Sequence, residues 1–330
     1  MPPTPVSSPV FNVTSYGAKG NGTTNSSPAI ISAIAAAQAH GGEVYIPAGK
    51  FLIMNKILIP AGTGITISGA GRSETTLMAG APGQTIFTVQ AGHTTIENAT
   101  LDAQITGGNP AVLTGASYVW LLHLEVLGAP GGSWPIRFAG GKGTASPAHP
   151  TYATGNVVDD VILYDTAPER NDGLGFAFQS NAVIANLVHN GSRIGLYVDK
   201  DVTIFNDNYT PNSIGNGGEK GYVITTPSSN IVISHFTSSG WGGKINPVPT
   251  ANPRDGNTNI TICYEEMTGA SSNLFSIGDV TGLSISNSHF GTIQVQPTQK
   301  AQGTFTNSTY ASLQEEKKSS GATISLQQSQ

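Results

Sequence analysis

The sequence predicts an all-β solenoid of parallel strands, and three observations lead to this prediction. A unit of about 22 residues recurs along the chain, most clearly as two successive copies within residues 157–200. Each copy contains an apolar alternating run, a polar corner, a loop and a second run led by glycine. The composition agrees, because 41 glycines, 20 prolines and only 11% charged residues are typical of many turns and few solvated helices.

The first part of the chain is predicted to prepare the end of the solenoid. Residues 1–10 form a Pro/Ser-rich leader without a core pattern. Residues 11–53 form a capping segment that contains a helix from about Pro28 to Ala39, ending at Gly41. An open solenoid end exposes backbone and apolar groups, so we expect this helix to cover the first coil.

The remaining coils are predicted to form one domain that extends over residues 11–300, because a solenoid grows by adding coils. Residues 301–330 lack an apolar period and are interpreted as a polar C-terminal tail, either disordered or an oligomer contact.

Alignment of the repeats predicts two stacked columns of side chains. The interior column is Leu163, Ile204, Ile233, Ile262 and Ile285. The corner column is rich in asparagine and comprises Asn98, His123, Asp165, Asn206, His235, Tyr264 and Asn287. Side-chain amides at a stacked corner can bond to neighbouring backbone or to one another, so the corner column is interpreted as structural.

The opening of the chain resembles a known superfamily. The run from Phe11 to Gly20, the helix after it and the segment Val44 to Gly49 are similar to the start of pectate-lyase-like proteins. That resemblance implies a single-stranded right-handed parallel β-helix with an N-terminal capping α-helix. The superfamily includes polygalacturonases, rhamnogalacturonases, β-1,3-glucanases, mannuronan C5-epimerases and phage tailspikes, so the resemblance does not specify one reaction.

The catalytic motifs of these relatives are not matched. Of the Arg-Ile-Lys motif of polygalacturonases only Arg193 and Ile194 are present, and the strand end Gly175 to Gln179 lacks the acid and histidine of the epimerases. No catalytic role is therefore transferred from the resemblance.

The glycine-led strands are predicted to carry a substrate groove between Trp134 and Lys244. With a period of two, the inward side chains are Ile136, Phe138, Phe176, Phe178, Leu196, Val198, Tyr222, Ile224, Phe275 and Ile277. The outward side chains include Arg137, Gln179, Tyr197 and Asp199.

Loops and strand ends near these positions hold many of the charges of a charge-poor chain. The predicted substrate-binding residues are Arg137, Gln179, Arg193, Lys200, Lys220, Trp134, Trp241 and Lys244. Aromatic rings contact the apolar surfaces of sugars, and arginine holds a carboxylate bidentately. The pattern favours an acidic, pectin-like or alginate-like polysaccharide over a neutral one.

Two cleavage reactions remain open. Glycoside hydrolysis needs two carboxylates, for which Asp199 is the first choice, with Asp172 or Glu169 from the coil before. Elimination by a polysaccharide lyase needs a base for the sugar C5 proton and a cation for the carboxylate. Arg193, Lys200, Lys220 and Tyr197 are candidates for that base, and Tyr197 is also a candidate proton donor.

No cofactor and no metal is predicted, because the sequence has no compact loop of alternating acids. Calcium is the alternative, bound through Asp165, Asp172 or Asp199.

A non-catalytic glycan-binding or tailspike-like structural module is the alternative to an enzyme. The formal net charge of −5 without a basic stripe argues against nucleic acid as a partner. No membrane span is present, and no signal peptide is recognised. An extracellular or virion-surface protein, monomeric or homotrimeric, with a polysaccharide as its partner is expected.

Overall fold

The computed structural model describes residues 8–104, 109–128, 134–140, 151–164, 172–191, 193–211, 220–225, 227–245, 256–267, 274–296, 301–315 and 323–326. Strands account for 62% of the structure and helices for 7%, and the strands pair in parallel. The predicted parallel β-helix is therefore confirmed.

The strands follow one another in a regular succession of coils. The first are β1 Val10–Asn12, β2 Asn21–Asn25, β3 Glu43–Ile46, β4 Gly49–Ile53, β5 Ile57–Ile59, β6 Thr66–Gly69, β7 Thr75–Ala79, β8 Phe87–Val89, β9 Thr94–Asp102, β10 Val112–Thr114 and β11 Val119–Leu127. The central ones are β12 Ile136–Ala139, β13 Ala153–Thr154, β14 Val157–Asp159, β15 Ile162–Tyr164, β16 Asp172–Ala177, β17 Gln179–Ala185, β18 Val188–Asn190, β19 Arg193–Tyr197, β20 Lys200–Thr210 and β21 Lys220–Thr225. The last are β22 Ser229–Ser238, β23 Trp241–Ile245, β24 Asn257–Cys263, β25 Glu266–Met267, β26 Leu274–Ile277, β27 Val280–Ser286, β28 His289–Val295, β29 Ala301–Thr306, β30 Thr309–Glu315 and β31 Thr323–Leu326.

The capping helix is present as α1, Ser27–His40, which follows a short 3-10 helix at Val13–Tyr16. A proline in its first turn and Gly41 after its last residue agree with the predicted ends. Its Ala/Ile face is buried, and the helix packs against β1, β3 and β5. With 14 residues α1 is too short for a bilayer span, and the described part of the chain contains no helix that qualifies.

An interior ladder of apolar side chains runs along the helix axis. Its positions pair in register in the order Phe11, Val44, Ile67, Ile96, Leu121, Val158, Ile184, Ile204, Ile233, Ile262, Ile285 and Phe305. Four of the five predicted members are confirmed. The prediction for Leu163 is wrong. Leu163 belongs to the next strand of its coil and pairs with Val126, whereas Val158 occupies the ladder position.

The polar corners are sites of left-handed backbone. Every described member of the predicted corner column has a φ between 50° and 57°. Asparagine tolerates this conformation better than most residues, which explains the composition of the column. Asp165 lies outside the described residues, and Asp160, with φ 50°, holds the corner that stacks on His123. A second left-handed column, including Tyr118, Asn181 and Asn230, was not recognised in the sequence.

The β-helix continues beyond the predicted domain end at residue 300. Strands β29, β30 and β31 each pair with a strand of the preceding coil. These strands are rich in Thr, Ser and Gln, and Phe305 is a rare large apolar side chain buried among them. The strands after residue 300 are paired through their backbones although their sequence has no apolar period, so the sequence pattern did not predict this coil.

Candidate functional site

One face of the β-helix, here called the groove face, consists of β5, β8, β10, β12, β16, β19, β21, β23 and β26. The predicted inward residues within these strands are buried, including Ile136, Phe138, Phe176, Leu196 and Tyr222. Arg137 points outward and is exposed, and its position is in register with Leu113 and Gly175. The predicted inward positions within the strands are therefore confirmed, whereas Val223 and Ser276, predicted to point outward, are buried.

Three residues predicted to bind substrate or to donate a proton form one cluster on this face, here called the aromatic stack. The rings of Trp134 and Tyr197 are stacked, with centroids 5.2 Å apart and planes inclined by 15°. The guanidinium carbon of Arg137 lies 4.8 Å from the centre of the Trp134 ring. Arg137 belongs to β12 and Tyr197 to β19, with β16 between them, so the stack spans three coils.

Gly175 makes room for this stack. A Cβ atom at that position would lie 2.4 Å from Cε3 of Trp134, so any side chain there would displace the indole. The backbone of Trp134 itself has a φ of 24°, which bulky residues rarely adopt. Such local strain is characteristic of functional positions.

Two further candidates occupy paired positions beside the stack. Asp172 begins β16 and Arg193 begins β19, and the two residues are register partners. Adjacent strands are separated by about 4.8 Å. The fold thus brings a predicted catalytic acid next to a predicted base at the same end of these strands.

A cleft of about 360 Å³ adjoins the stack on the N-terminal side. It is lined by Ala61, Thr88, Val89, Gln90, Leu113, Thr114, Gly115, Ala116 and Ala139. Ala139 belongs to β12, the strand that carries Arg137, so the cleft and the stack share one floor. Apart from Ala139, the residues that line this cleft precede the predicted limit of the groove at Trp134.

Asp199, the first choice for a catalytic acid or base, is buried inside the β-helix and not in the groove. Strand β19 ends at Tyr197, and Val198 has a φ of 60°, so the alternation of side chains does not continue to Asp199. The carboxylate accepts the N–H groups of Gln179, at 2.6 Å, and Tyr197, at 2.7 Å. Burial raises the pKa of Asp199 to about 8, although both backbone hydrogen bonds act in the opposite direction. A polymer in the groove cannot reach this carboxyl group.

Gln179 is buried for the same reason, since β16 ends at Ala177 and Phe178 has a φ of 55°. Its side-chain oxygen accepts a hydrogen bond from Nδ2 of Asn156 at 2.6 Å, and its Nε2 donates to the carbonyl of Ala177 at 2.9 Å. The predicted outward positions of Gln179 and Asp199 are thus wrong. Both residues satisfy buried polar groups at a corner of the coil.

The other predicted residues are dispersed. Lys244 lies on the groove face, whereas Lys200 begins β20 beyond the corner and its Nζ lies 4.8 Å from the ring centre of Tyr152. Outside the described residues are Glu169, Asp165 and the side chains of Asp172, Lys220 and Trp241. Within the described ranges, no three His, Cys, Asp or Glu side chains group as a metal site.

A second set of titratable groups is enclosed in the interior. The hydroxyl of Tyr222 donates to Oε2 of Glu265 at 2.7 Å, and both residues are buried. Nearby, Nε2 of His189 lies 3.3 Å from the carboxylate of Asp207. Burial raises the pKa of Glu265 to about 8, while the Tyr222 hydrogen bond opposes the shift. This cluster is sealed from solvent.

A protein-family model described as rhamnogalacturonase A/epimerase, pectate lyase-like, matches residues 10–246, which is more than half of the chain. The chain belongs to this rhamnogalacturonase A/epimerase family. The resemblance in the opening segment is thereby confirmed. No curated protein matches the chain.

Solved structures similar to this family member share its fold at low sequence identity. PfbA, a surface adhesin of Streptococcus pneumoniae, is 14% identical with a TM-score of 0.66, and the match covers 96% of this chain and 91% of the adhesin. The A-module of the Azotobacter vinelandii mannuronan C-5 epimerase AlgE6 is 16% identical with a TM-score of 0.62, covering 97% and 100%. The Dettilon tailspike protein is 12% identical with a TM-score of 0.59, covering 93% and 68%.

Proposed function

We propose that this member of the rhamnogalacturonase A/epimerase family binds an acidic polysaccharide along the groove face. The observation that carries the proposal is the aromatic stack, in which Trp134 is stacked on Tyr197 and lies under the guanidinium of Arg137. Sugar rings present C–H groups to aromatic side chains, and an arginine fork matches a carboxylate. Stacking on the indole also restricts Arg137 before any ligand arrives, which reduces the entropy cost of binding.

The dimensions of the groove suit a polymer. From β8 through β10, β12 and β16 to β19 there are four strand steps, which at about 4.8 Å each span about 19 Å. This length accommodates several consecutive sugar units. The alginate epimerase, the adhesin and the tailspike found among similar structures support a glycan-related function in an extracellular or virion-surface setting.

The test is a titration of the intact protein with polygalacturonate, polymannuronate and neutral dextran by isothermal calorimetry. We expect saturable binding to one or both acidic polymers, weakened as salt increases, and weaker binding to dextran. Equal affinity for dextran, or no binding to either acidic polymer, would contradict the proposal. A dextran preference would instead indicate a neutral ligand.

Cleavage of the bound polysaccharide is the second candidate function, and the paired positions of Asp172 and Arg193 favour it. In a hydrolase, Asp172 and Glu169 would supply the two carboxylates. In a lyase, Arg193 or Tyr197 would remove the C5 proton. Assays for new reducing ends and for the ultraviolet absorbance of unsaturated uronates distinguish these reactions. In a hydrolase, Asp172→Asn should abolish the formation of new reducing ends; in a lyase, the ultraviolet signal should survive Asp172→Asn.

If binding is observed and neither product forms, the protein acts as a glycan-binding module. Analytical ultracentrifugation then decides between a monomer and a homotrimer, the two assemblies we propose for it.

A further inference from the structure

The cleft beside the aromatic stack has a chemical character of its own. The solvent-accessible part of its lining includes four apolar side chains, those of Ala61, Leu113, Ala116 and Ala139. Unsubstituted sugar units present mainly hydroxyl groups, which gain little from such a surface. A ligand group that removes these methyl groups from water must itself be apolar.

The same cleft also contains polar groups. Thr88 and Gln90 line it, and the Gln90 side chain is exposed to solvent. The Thr114 hydroxyl, in contrast, is buried and donates to the carbonyl of Val89 at 3.1 Å. The hydroxyl of Thr88 and the amide of Gln90 can therefore donate hydrogen bonds to a ligand.

An O-acetyl ester combines the two properties that this lining requires. Its methyl group suits the apolar wall, and its carbonyl oxygen accepts a hydrogen bond from Thr88 or Gln90. A 6-deoxy sugar also offers a methyl group, but its acceptors are ring and hydroxyl oxygens outside that group, whereas an acetyl ester carries the methyl group and the acceptor in one substituent.

The position of the cleft relates it to the acid-binding part of the groove. Leu113 is the register partner of Arg137 on the neighbouring strand, at a spacing of about 4.8 Å. A polymer that places a carboxylate at Arg137 would therefore place an adjoining part of the chain over Leu113. We propose that the cleft is a subsite for an O-acetylated sugar unit of the acidic polysaccharide, an inference that rests on the proposed function.

The test compares matched polymers. Polygalacturonate and polymannuronate are each titrated before and after partial chemical O-acetylation, using the full chain. Filling an apolar subsite with one methyl group and adding one hydrogen bond should strengthen binding by about tenfold. Leu113→Ser should reduce this preference, measured as the ratio of the two affinities of the same variant, to about onefold, so that any loss shared by both polymers cancels. Val232→Ser, at an exposed valine on another face, serves as the matched control and should retain the preference.

The outcomes separate the two proposals. Equal affinity of the wild-type protein for acetylated and unacetylated polymer would overturn the acetyl subsite and leave acidic-polysaccharide binding intact. A preference that survives Leu113→Ser would also overturn it, because the apolar wall would not be responsible. Absence of binding to all four polymers would overturn both proposals.

Discussion

Trp134 and Tyr197 come from different coils, yet their rings stack with centroids 5.2 Å apart across the backbone of Gly175. The contact needs a glycine on the intervening strand, because a Cβ atom there would meet the indole. We expect Gly175→Ala to leave the fold intact but to move the indole and weaken polymer binding. Near-ultraviolet circular dichroism should report the changed aromatic environment. Gly256→Ala is the comparison for stability, because a Cβ atom there would meet no atom closer than 3.7 Å.

The interior ladder predicts a strong position dependence of stability. Ile233→Asp should destabilise the protein by several kcal/mol, because an unpaired charge would be buried. The adjacent Val232 is 37% exposed, so Val232→Asp should lower the free energy of unfolding by only about 1 kcal/mol, through the poor strand propensity of aspartate. Urea denaturation measures both, and similar values would show that the register is wrong.

The buried carboxylate of Asp199 predicts a structural role. Asp199→Asn replaces one of two acceptor oxygens with a donor that faces a backbone N–H, at a cost of about 1–3 kcal/mol. Asp201→Asn is the matched control, because Asp201 is only partly buried and its left-handed backbone suits asparagine. Wild-type stability in Asp199→Asn, measured by urea denaturation, would refute the structural role.

Glu265 predicts a pH dependence of stability. Its pKa is about 8 in the folded protein and about 4.3 in an unfolded chain. Between these values the folded state holds more protons, so the free energy of unfolding should fall as pH rises from about 5 to about 8. Asp199, with its raised pKa, contributes in the same direction.

Glu265→Gln should reduce this dependence to the part that Asp199 contributes, whereas Glu266→Gln, at the exposed neighbouring residue, should retain all of it. Urea denaturation at several pH values provides the comparison. Parallel curves for the two variants would show that Glu265 does not bind the proton.

The sequence predicted the fold well because the signals that define it are repetitive. The apolar ladder around Ile233 and the asparagine-rich corners recur in coil after coil, so single errors such as Leu163 do not alter the architecture. The coil beyond residue 300 could not be predicted, because its strands are held mainly by backbone pairing.

The candidate site was predicted only in part. Trp134, Arg137 and Tyr197, which the sequence predicts in one groove, lie together in the structure, since they are on or beside strands whose alternation could be read. The predicted positions of Asp199 and Gln179 were wrong because a left-handed residue before each one ends the alternation of side chains. These residues are Val198 and Phe178, and valine and phenylalanine rarely adopt this conformation, so the sequence did not indicate it. Gly175 and Gly195 are register partners, and two adjacent glycines in the sequence repeats could have indicated that a large side chain packs over these strands.

Arg137 predicts how binding responds to charge and shape. Arg137→Gln should weaken binding to polygalacturonate by about tenfold, or 1.4 kcal/mol, and reduce its salt dependence. Arg137→Lys should give an intermediate affinity, because it keeps the charge but loses the planar fork. Lys50→Gln, at an exposed lysine of β4, is the control and should bind as the wild type does. Calorimetry at two salt concentrations measures these affinities. If Arg137→Gln binds as tightly as the wild type, Arg137 does not contact the polymer.

The central claim is that an acidic polysaccharide contacts the aromatic stack, and the fluorescence of Trp134 tests it most directly. The chain has three tryptophans, so replacing Trp120 and Trp241 by phenylalanine leaves Trp134 as the single indole reporter. Titration of this variant with polygalacturonate or polymannuronate should change the emission saturably, with the midpoint that calorimetry gives for the same variant, because Trp241 is itself a predicted substrate-binding residue. Binding in calorimetry without any change in Trp134 emission would contradict the claim, because the polymer would then occupy another surface.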